Sequence, residues 1–503
     1  MSPRPIAVVL DGPPTPAWQA RALSLLEASP LLRVVEARLL GAVRRGRTRR
    51  LHAAIERRLL YLGPDALAGV AVERAPSGTG AAADPATLVV WLAERPPSQE
   101  ESRELLHLRH GRRSEPAEDA FRRAVLDGAD CVETDVLLER PSGTVVIERT
   151  ISEVRPFSAT LSRDHALWKL AAIVARAAER TPGLELPAPP AESLRASPST
   201  AALLARSALS WPRMLVTRAL FRRPWSVRVR ERGPQPTRGW PAEQELVRWR
   251  AGNLYADPFL FEHQGRHHLF CEEVPLGASR AVISHTELHL DGSPAEPPEC
   301  VLAQPYHLSY PFVFAHGEEL FMIPETSAAG RVELYRAEDF PHSWQRAAIL
   351  MENVDAADAT VMADGDRLWM FAGVAAPDAS SLDELHLFWA DAPRGPWHPH
   401  PRNPVVSDAR RARPAGAIQR WGSRLVRPGQ DGSRRYGGAI SFCEIDILNE
   451  SEYAEHEVAR LEPADVVGAR ATHTYTSDTR FEAIDLRRRE LRLAVRAKRS
   501  GRS

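Results

Sequence analysis

The 503-residue sequence predicts a multidomain chain of α/β plus all-β class, an open α/β domain followed by a five-bladed β-propeller. Three observations carry this. Short apolar strands alternate with amphipathic helices over 1–181. Helical spacing nearly vanishes beyond 250. A unit of apolar strand, glycine turn and second strand then recurs with a period of roughly 50 residues, the size of a propeller blade.

The first region opens with IAVVL at 6–10, a short β-branched run with the composition of a buried strand. The segment WQARALSLLEASP follows with helical spacing, LRVVEARLL at 32–40 reads as the next strand, and HAAIERRLLYL is again helical. ATLVVWLAE at 86–94 and TVVIERT at 144–150 supply further strands, and RDHALWKLAAIVARAAE at 163–179 a long helix. This order implies an open layer with at least some parallel strands.

Residues 182–200, PGLELPAPPAESLRASPST, lose the apolar period and read as a linker. The segment 201–249 starts helical and then alternates as a strand in WSVRVRER at 225–232. We therefore divide the chain into an α/β domain at 1–181, a bridging segment at 182–249 that can supply a propeller closing strand, a propeller at 250–487 and a basic tail at 488–503.

Within the propeller region the strand cores PFLF, PFVF, ATVM and AGAI begin at 258, 311, 359 and 415, each followed by a glycine turn and a second strand. A β-sandwich, the competing all-β architecture, does not carry this period. The fifth unit is expected from 436–448, 472–486 and the strand at 225–230, so that both ends of the domain close the ring and protect its edges.

Lys plus Arg and Asp plus Glu each number 65, so net charge is zero and nothing calls for nucleic acid as a partner. The run RRGRTRR at 44–50 is a local exception that reads as a solvated loop or a phosphate patch. The four cysteines are scattered, which implies neither a disulfide scaffold nor a metal knuckle. Neither a signal peptide nor an apolar span of membrane length is legible, so the expectation is a cytoplasmic protein without a transmembrane segment. No cofactor and no metal is expected. His267 and His268 are adjacent and would point to opposite faces of a strand, which makes them poor joint ligands.

In a propeller the loops entering the first strand of each blade gather at one face. Polar residues before the repeated cores should therefore converge: Asp257 before PFLF, His307 and Tyr310 before PFVF, Asp355 and Asp358 before ATVM, Arg413 before AGAI, and Asp431, Arg434, Arg435 and Tyr436 before GGAI. Arginine offers a rigid fork of donors, and aromatic faces suit sugar rings. His473 is placed to join His307 in the channel. Glycoside cleavage needs one protonated and one ionised carboxyl, for which Asp257, Glu325 and Asp358 are the candidates, with Glu272 and Glu273 behind them.

The segments LYADPFLFEHQGRHHLFCEE, PYHLSYPFVFAHGEELFMIPETS, VDAADATVM and GQDGSRRYGGAIS occur in the order found in the N-terminal domain family of plant glucosamine inositolphosphorylceramide transferases, and 245–487 resembles that family. The resemblance implies a five-bladed propeller of the arabinanase, levansucrase and invertase type. That superfamily uses an early aspartate, a second aspartate and a glutamate acid. Asp257 matches the first, whereas Asp358 opens the third repeat and Glu325 ends a strand of the second. The N-terminal region resembles a degenerate formyltransferase-like domain through IAVVL, LVVWLAE and HGRRSEPAEDAFRRAVLDGADCVETDVLLE, with His110, Asp130 and Glu133 near the places of its active residues but no Asn-x-His. The resulting expectation is a carbohydrate-active protein resembling a glycoside hydrolase, with a carbohydrate or sugar-containing small molecule as partner. A non-catalytic glycan or glycolipid-headgroup binder and a transferase using an interdomain cleft are the alternatives.

Overall fold

The computed structural model describes residues 2–41, 43, 46–60, 63–72, 87–94, 104–111, 113, 115–180, 186–189, 192, 196–222, 224–233, 236–237, 240, 245–246, 250 and 252–491. Part of the 182–200 segment, part of RRGRTRR and residues 492–503 of the basic tail thus lie outside the described residues. The chain forms two compact units, Met1–Pro212 with Ala376–Ser380, and Arg213–Ala375 with Ser381–Ser503.

The first unit is built on a mixed sheet in the order 32–39, 4–10, 88–91, 105–110, 131–140, 143–153, 186–187. Arg4–Leu10 pairs in parallel with both Leu32–Leu39 and Leu88–Trp91, and the strands from Leu105–His110 onward pair antiparallel with Cys131–Arg140 and Gly143–Glu153. The period of two explains the core. Ile6, Val8 and Leu10 face one side, where they meet helices Ala17–Ala28 and Ala159–Glu179 through Ala22, Leu26, Leu170 and Val174. Val9 faces the other side with Val89, Trp91 and Leu105. Helix Ala117–Asp127 ends at Gly128, which takes the left-handed conformation of a helix C-cap.

The second unit contains five sheets of blade size. Blade 1 comprises Leu254–His263, Arg266–Val274, Val282–Leu288 and Glu299–Leu302. Blade 2 comprises Ser309–His316, Glu319–Glu325, Arg331–Asp339 and Ser343–Glu352. Blade 3 comprises Ala356–Asp364, Arg367–Val374, Glu384–Ala390 and His398–Pro399, with Val406–Ser407 also on its third strand. Blade 4 comprises Gln419–Trp421, Arg424–Asp431, Ala439–Leu448 and Tyr453–Leu461.

Blade 5 is assembled from both ends: Tyr475–Ser477 and Phe481–Arg487 are joined by Trp225–Glu231 and Glu245–Leu246. The expected closure through 225–230 is therefore present. The assignment of 436–448 to the fifth unit is corrected: Ala439–Leu448 pairs with Arg424–Asp431 and is the third strand of blade 4. Its Gly-Gly lead-in mimics the entry to an innermost strand, but the apolar Ile440 and Phe442 belong to a layer that packs against blade 5 through Tyr475 and Ile484.

Separate apolar layers fill the gaps between blades. Phe259, Phe312, Phe321 and Met370 span blades 1 to 3, Trp369, Leu387 and Tyr453 join blades 3 and 4, and Val227, Leu260, Leu269 and Phe481 join blades 5 and 1. Among the described residues, no helix is long and apolar enough to cross a membrane.

Candidate functional site

The innermost strands carry a repeated distortion. In blades 1, 2 and 3 the pairing of the first two strands slips between Ala256 and Phe259, between Ser309 and Phe312, and between Ala357 and Thr360. Inside each slip one non-glycine residue has positive φ: Asp257 at 48°, Tyr310 at 47° and Asp358 at 57°. A side chain in this left-handed region costs about 1–2 kcal/mol, so it persists only where the surroundings hold it. Here a bulge aims three polar side chains inward at equivalent places. The blade 4 counterpart is Gly416, at φ 133°, where a Cβ would lie 1.7 Å from the Tyr475 carbonyl oxygen. Its amide donates to Tyr310 Oη at 2.7 Å, and that hydroxyl also meets Thr360 Oγ1 at 2.8 Å.

Asp257, 4% exposed, is held from three sides. Thr474 Oγ1 donates to its Oδ1 at 2.6 Å, His473 Nε2 lies 3.1 Å from the same oxygen, and the Tyr310 amide donates to Oδ2 at 3.2 Å. The other imidazole nitrogen, Nδ1, lies 2.7 Å from Asp485 Oδ2. Asp485 in turn accepts the amides of His473 and Thr474 at 2.8 and 3.2 Å and that of Asp257 at 3.3 Å. Burial alone would lower the His473 pKa, but the Asp485 and Asp257 carboxylates outweigh it and hold the imidazolium up to about 10. Burial pushes the Asp257 carboxyl up, but the His473 charge and its donors bring it below the ordinary range. Asp257, His473 and Asp485 lie close enough to share a metal ion, yet each imidazole nitrogen already faces a carboxylate, which favours a protonated relay over a ligand set.

A second charge group adjoins the first. Arg413 sets Nε 2.5 Å from Asp358 Oδ2 and Nη2 3.0 Å from Glu325 Oε2. Burial pushes Asp358 up, Arg413 draws it back, and the Glu325 charge pushes it up again, leaving it well above the ordinary range. Glu272, opposite Ala256 in the ladder, lies 3.2 Å from His307 Nε2. Burial raises its pKa, the His307 hydrogen bond draws it back, and the nearby Asp257 charge raises it again. His307 Nδ1 accepts the Ala281 amide at 3.2 Å, which places the proton of the neutral ring on Nε2, toward Glu272. Aromatic faces cover His473, with Trp225 at 4.4 Å and Tyr436 at 4.8 Å between ring centroids, and the Arg413 guanidinium sits 5.5 Å from the Tyr436 ring.

Of the residues nominated from sequence, Asp257, His473 and Tyr310 thus form one connected group, Glu325, Asp358 and Arg413 a second, and His307 reaches the first through Glu272. Asp355 is exposed, and its carboxyl is raised by burial of one side and by the Glu325 charge. Asp431 is engaged elsewhere: it accepts the Ser433 amide and hydroxyl at 2.9 and 2.6 Å and pairs with Arg460 of the outer strand. Arg434 and Arg435 are exposed on the turn that follows. Asp485, Thr474 and Trp225 were not nominated. The available signal was a carboxylate within the otherwise apolar AIDL of a buried strand.

Residues 246–488 match the family model described as glucosamine inositolphosphorylceramide transferase 1, N-terminal. This part of the chain is similar to that family. Curated relatives are the enzymes named glucosamine inositolphosphorylceramide transferase 1 of Arabidopsis thaliana, 31% identical over 209 residues, and of Oryza sativa subsp. japonica, 32% identical over 206. The aligned segment is 41% of this chain but only 27% of the Arabidopsis protein, and 40% against 28% for rice. Among solved structures, the family 117 glycoside hydrolase Zg3597 of Zobellia galactanivorans aligns with a TM-score of 0.34 and 10% identity, covering 50% of this chain and 79% of its own. The catalytic domain of the Coprinopsis cinerea GH62 α-L-arabinofuranosidase aligns at 0.34 and 14% identity, covering 52% and 97%. These two likenesses are too distant to bear on activity.

In the first unit, His110 ends the strand Leu105–His110 and is buried. Its Nδ1 meets Thr134 Oγ1 at 3.0 Å, and burial lowers its pKa to about 4. Glu133 lies 3.4 Å from Arg149, and the Asp130 carbonyl accepts the Val154 amide. Residues 95–103, which follow the segment 87–94, lie outside the described residues.

Proposed function

We propose that the propeller is carbohydrate-active, binding a sugar at the mouth of its innermost strands and cleaving a glycosidic bond there. The observation that carries this is the pairing of unlike carboxyls on neighbouring strands. Asp257 is fixed as a carboxylate by His473, Thr474 and the Tyr310 amide, while the adjacent, half-buried Glu272 is raised by its burial and by the Asp257 charge against the pull of the His307 hydrogen bond. Two acids whose surroundings drive them apart are what glycoside cleavage requires. In this reading Asp257 is the base, Glu272 the acid, and Trp225 and Tyr436 the platform for the ring. Glu272 replaces Glu325 as the preferred acid because Arg413 and Ser327 hold the Glu325 carboxylate.

One observation favours a second reading, a binding site without chemistry. Arg413 engages Asp358 and Glu325 together, which ties two of the three acids of the hydrolase plan to one guanidinium. A panel of chromogenic aryl glycosides separates the two. Cleavage of one of them, reduced about 10²–10⁴-fold by Asp257→Asn and by Glu272→Gln, supports the first. Saccharide binding without turnover supports the second, and cleavage indifferent to both substitutions excludes Asp257 and Glu272 from the chemistry.

A further inference from the structure

A cleft of 670 Å³ opens on blade 1 and the adjoining turn of blade 2, lined by His263, His268, His285, Glu299, Phe340 and His342 among others. It lies at the far end of the strand that carries Asp257. The six residues from Asp257 to His263 span about 20 Å of extended chain. Four of its lining residues are imidazoles, and the sugar-site chemistry uses none of them.

Their arrangement follows from the strand register. His285 stands opposite Phe270 on one side and Glu299 on the other, and His268 is two places from Phe270, so the three polar groups share one face of the sheet. His268 Nδ1 lies 3.0 Å from His285 Nε2. Two nitrogens bound at about 2.05 Å to one tetrahedral ion stand roughly 3.3 Å apart, so this pair needs to part by only a few tenths of an ångström. His342 faces the His285 ring edge-on at 6.2 Å, and its Nδ1 contacts the Glu299 carboxylate. A carboxylate on one imidazole nitrogen fixes the tautomer that leaves the other nitrogen free to bind a metal.

We propose that His268, His285 and His342 form a site for a borderline divalent transition ion such as Zn²⁺, with Glu299 orienting His342. The His342 side chain is 56% exposed, and its rotation toward the buried pair closes the set. Binding requires the ring that donates in this contact to carry its proton on its other nitrogen instead, so that both facing nitrogens present lone pairs to the ion.

The test is titration of the full-length protein with Zn²⁺ by calorimetry and with Co²⁺ by visible absorption. The expected result is one bound ion per chain, with the intense d–d bands of a four-coordinate cobalt centre. His342→Ala, on the surface, should weaken binding at least tenfold, and His285→Gln should abolish it, with circular dichroism showing that the variant is folded. Should His285→Gln fail to fold, the His342→Ala titration decides alone. Absence of binding by the wild type overturns the proposal, as does unchanged affinity in His342→Ala. Binding lost on Asp485→Asn but kept in His342→Ala overturns it too, by moving the ion to the propeller mouth.

Discussion

His473 is the residue on which the site's electrostatics turn. It is buried, yet two carboxylates hold its pKa at about 10, well above the ordinary 6.5. A group whose folded pKa is raised stabilises fully below the unfolded value and loses that stabilisation as pH rises through the folded one. The contribution of His473 should therefore be complete below about pH 6.5 and decay toward pH 10. Asp257, whose pKa is depressed, acts in the opposite sense and is lost only as pH falls below the usual carboxylate range. Urea melts from pH 6 to 10 should show a decline in wild type that is shallower in His473→Gln. In Asp485→Asn the imidazole resonances should titrate at lower pH than in wild type, and an unmoved titration would contradict the role given to Asp485. Asp257 was legible because it precedes a repeated core. Asp485 was not, because nothing local marks its strand as the innermost pair of a blade completed from 225–231. The role of Glu272 depends on burial beside Asp257, which sequence does not reveal.

At the scale of the elements, the bulged entries of the innermost strands link fold to site. The repeats PFLF, PFVF and ATVM were readable since each follows the residue that occupies the left-handed bulge. The blade 4 copy was weak for a physical reason: close approach of Gly416 to the Tyr475 carbonyl excludes any side chain there. Gly416→Ala should therefore destabilise the protein by about 3 kcal/mol, read from a denaturant midpoint at unchanged slope. An effect near zero would mean that the two backbones do not meet. The closing strand is bound by charge as well as by its ladder, since Arg230 Nε donates to Glu482 Oε1 at 2.6 Å. Both groups are buried, so Arg230→Ala leaves an uncompensated carboxylate and should cost about 3–5 kcal/mol, largely recovered in the double variant with Glu482→Gln.

For the molecule as a whole, the split blade sets the true limits of the propeller. The family match begins at 246, after the strand Trp225–Glu231 that completes blade 5. A fragment of 213–503 should melt cooperatively, whereas one of 246–503 exposes the edge of Phe481–Arg487 and should aggregate or stay unfolded. Equal stability of the two fragments would show that the ring closes without its N-terminal strand. The five-blade count was legible from period alone, while the membership of 436–448 was not, because a strand's place within a blade depends on partners remote in sequence. The alternation of the first unit gave its mixed sheet, and its antiparallel half, 105–153, was the less visible part because Leu105–His110 and Cys131–Arg140 carry charged residues within their strands.

The central claim is that the mouth between Trp225, Tyr436 and Asp257 receives a sugar. Saturation-transfer NMR of a panel of mono- and oligosaccharides against wild type and Tyr436→Ala tests it most directly. The expected result is a saccharide whose ring protons saturate with wild type and lose that signal in Tyr436→Ala, while the fold is retained. No saccharide bound by wild type, or one bound equally by the variant, would contradict it.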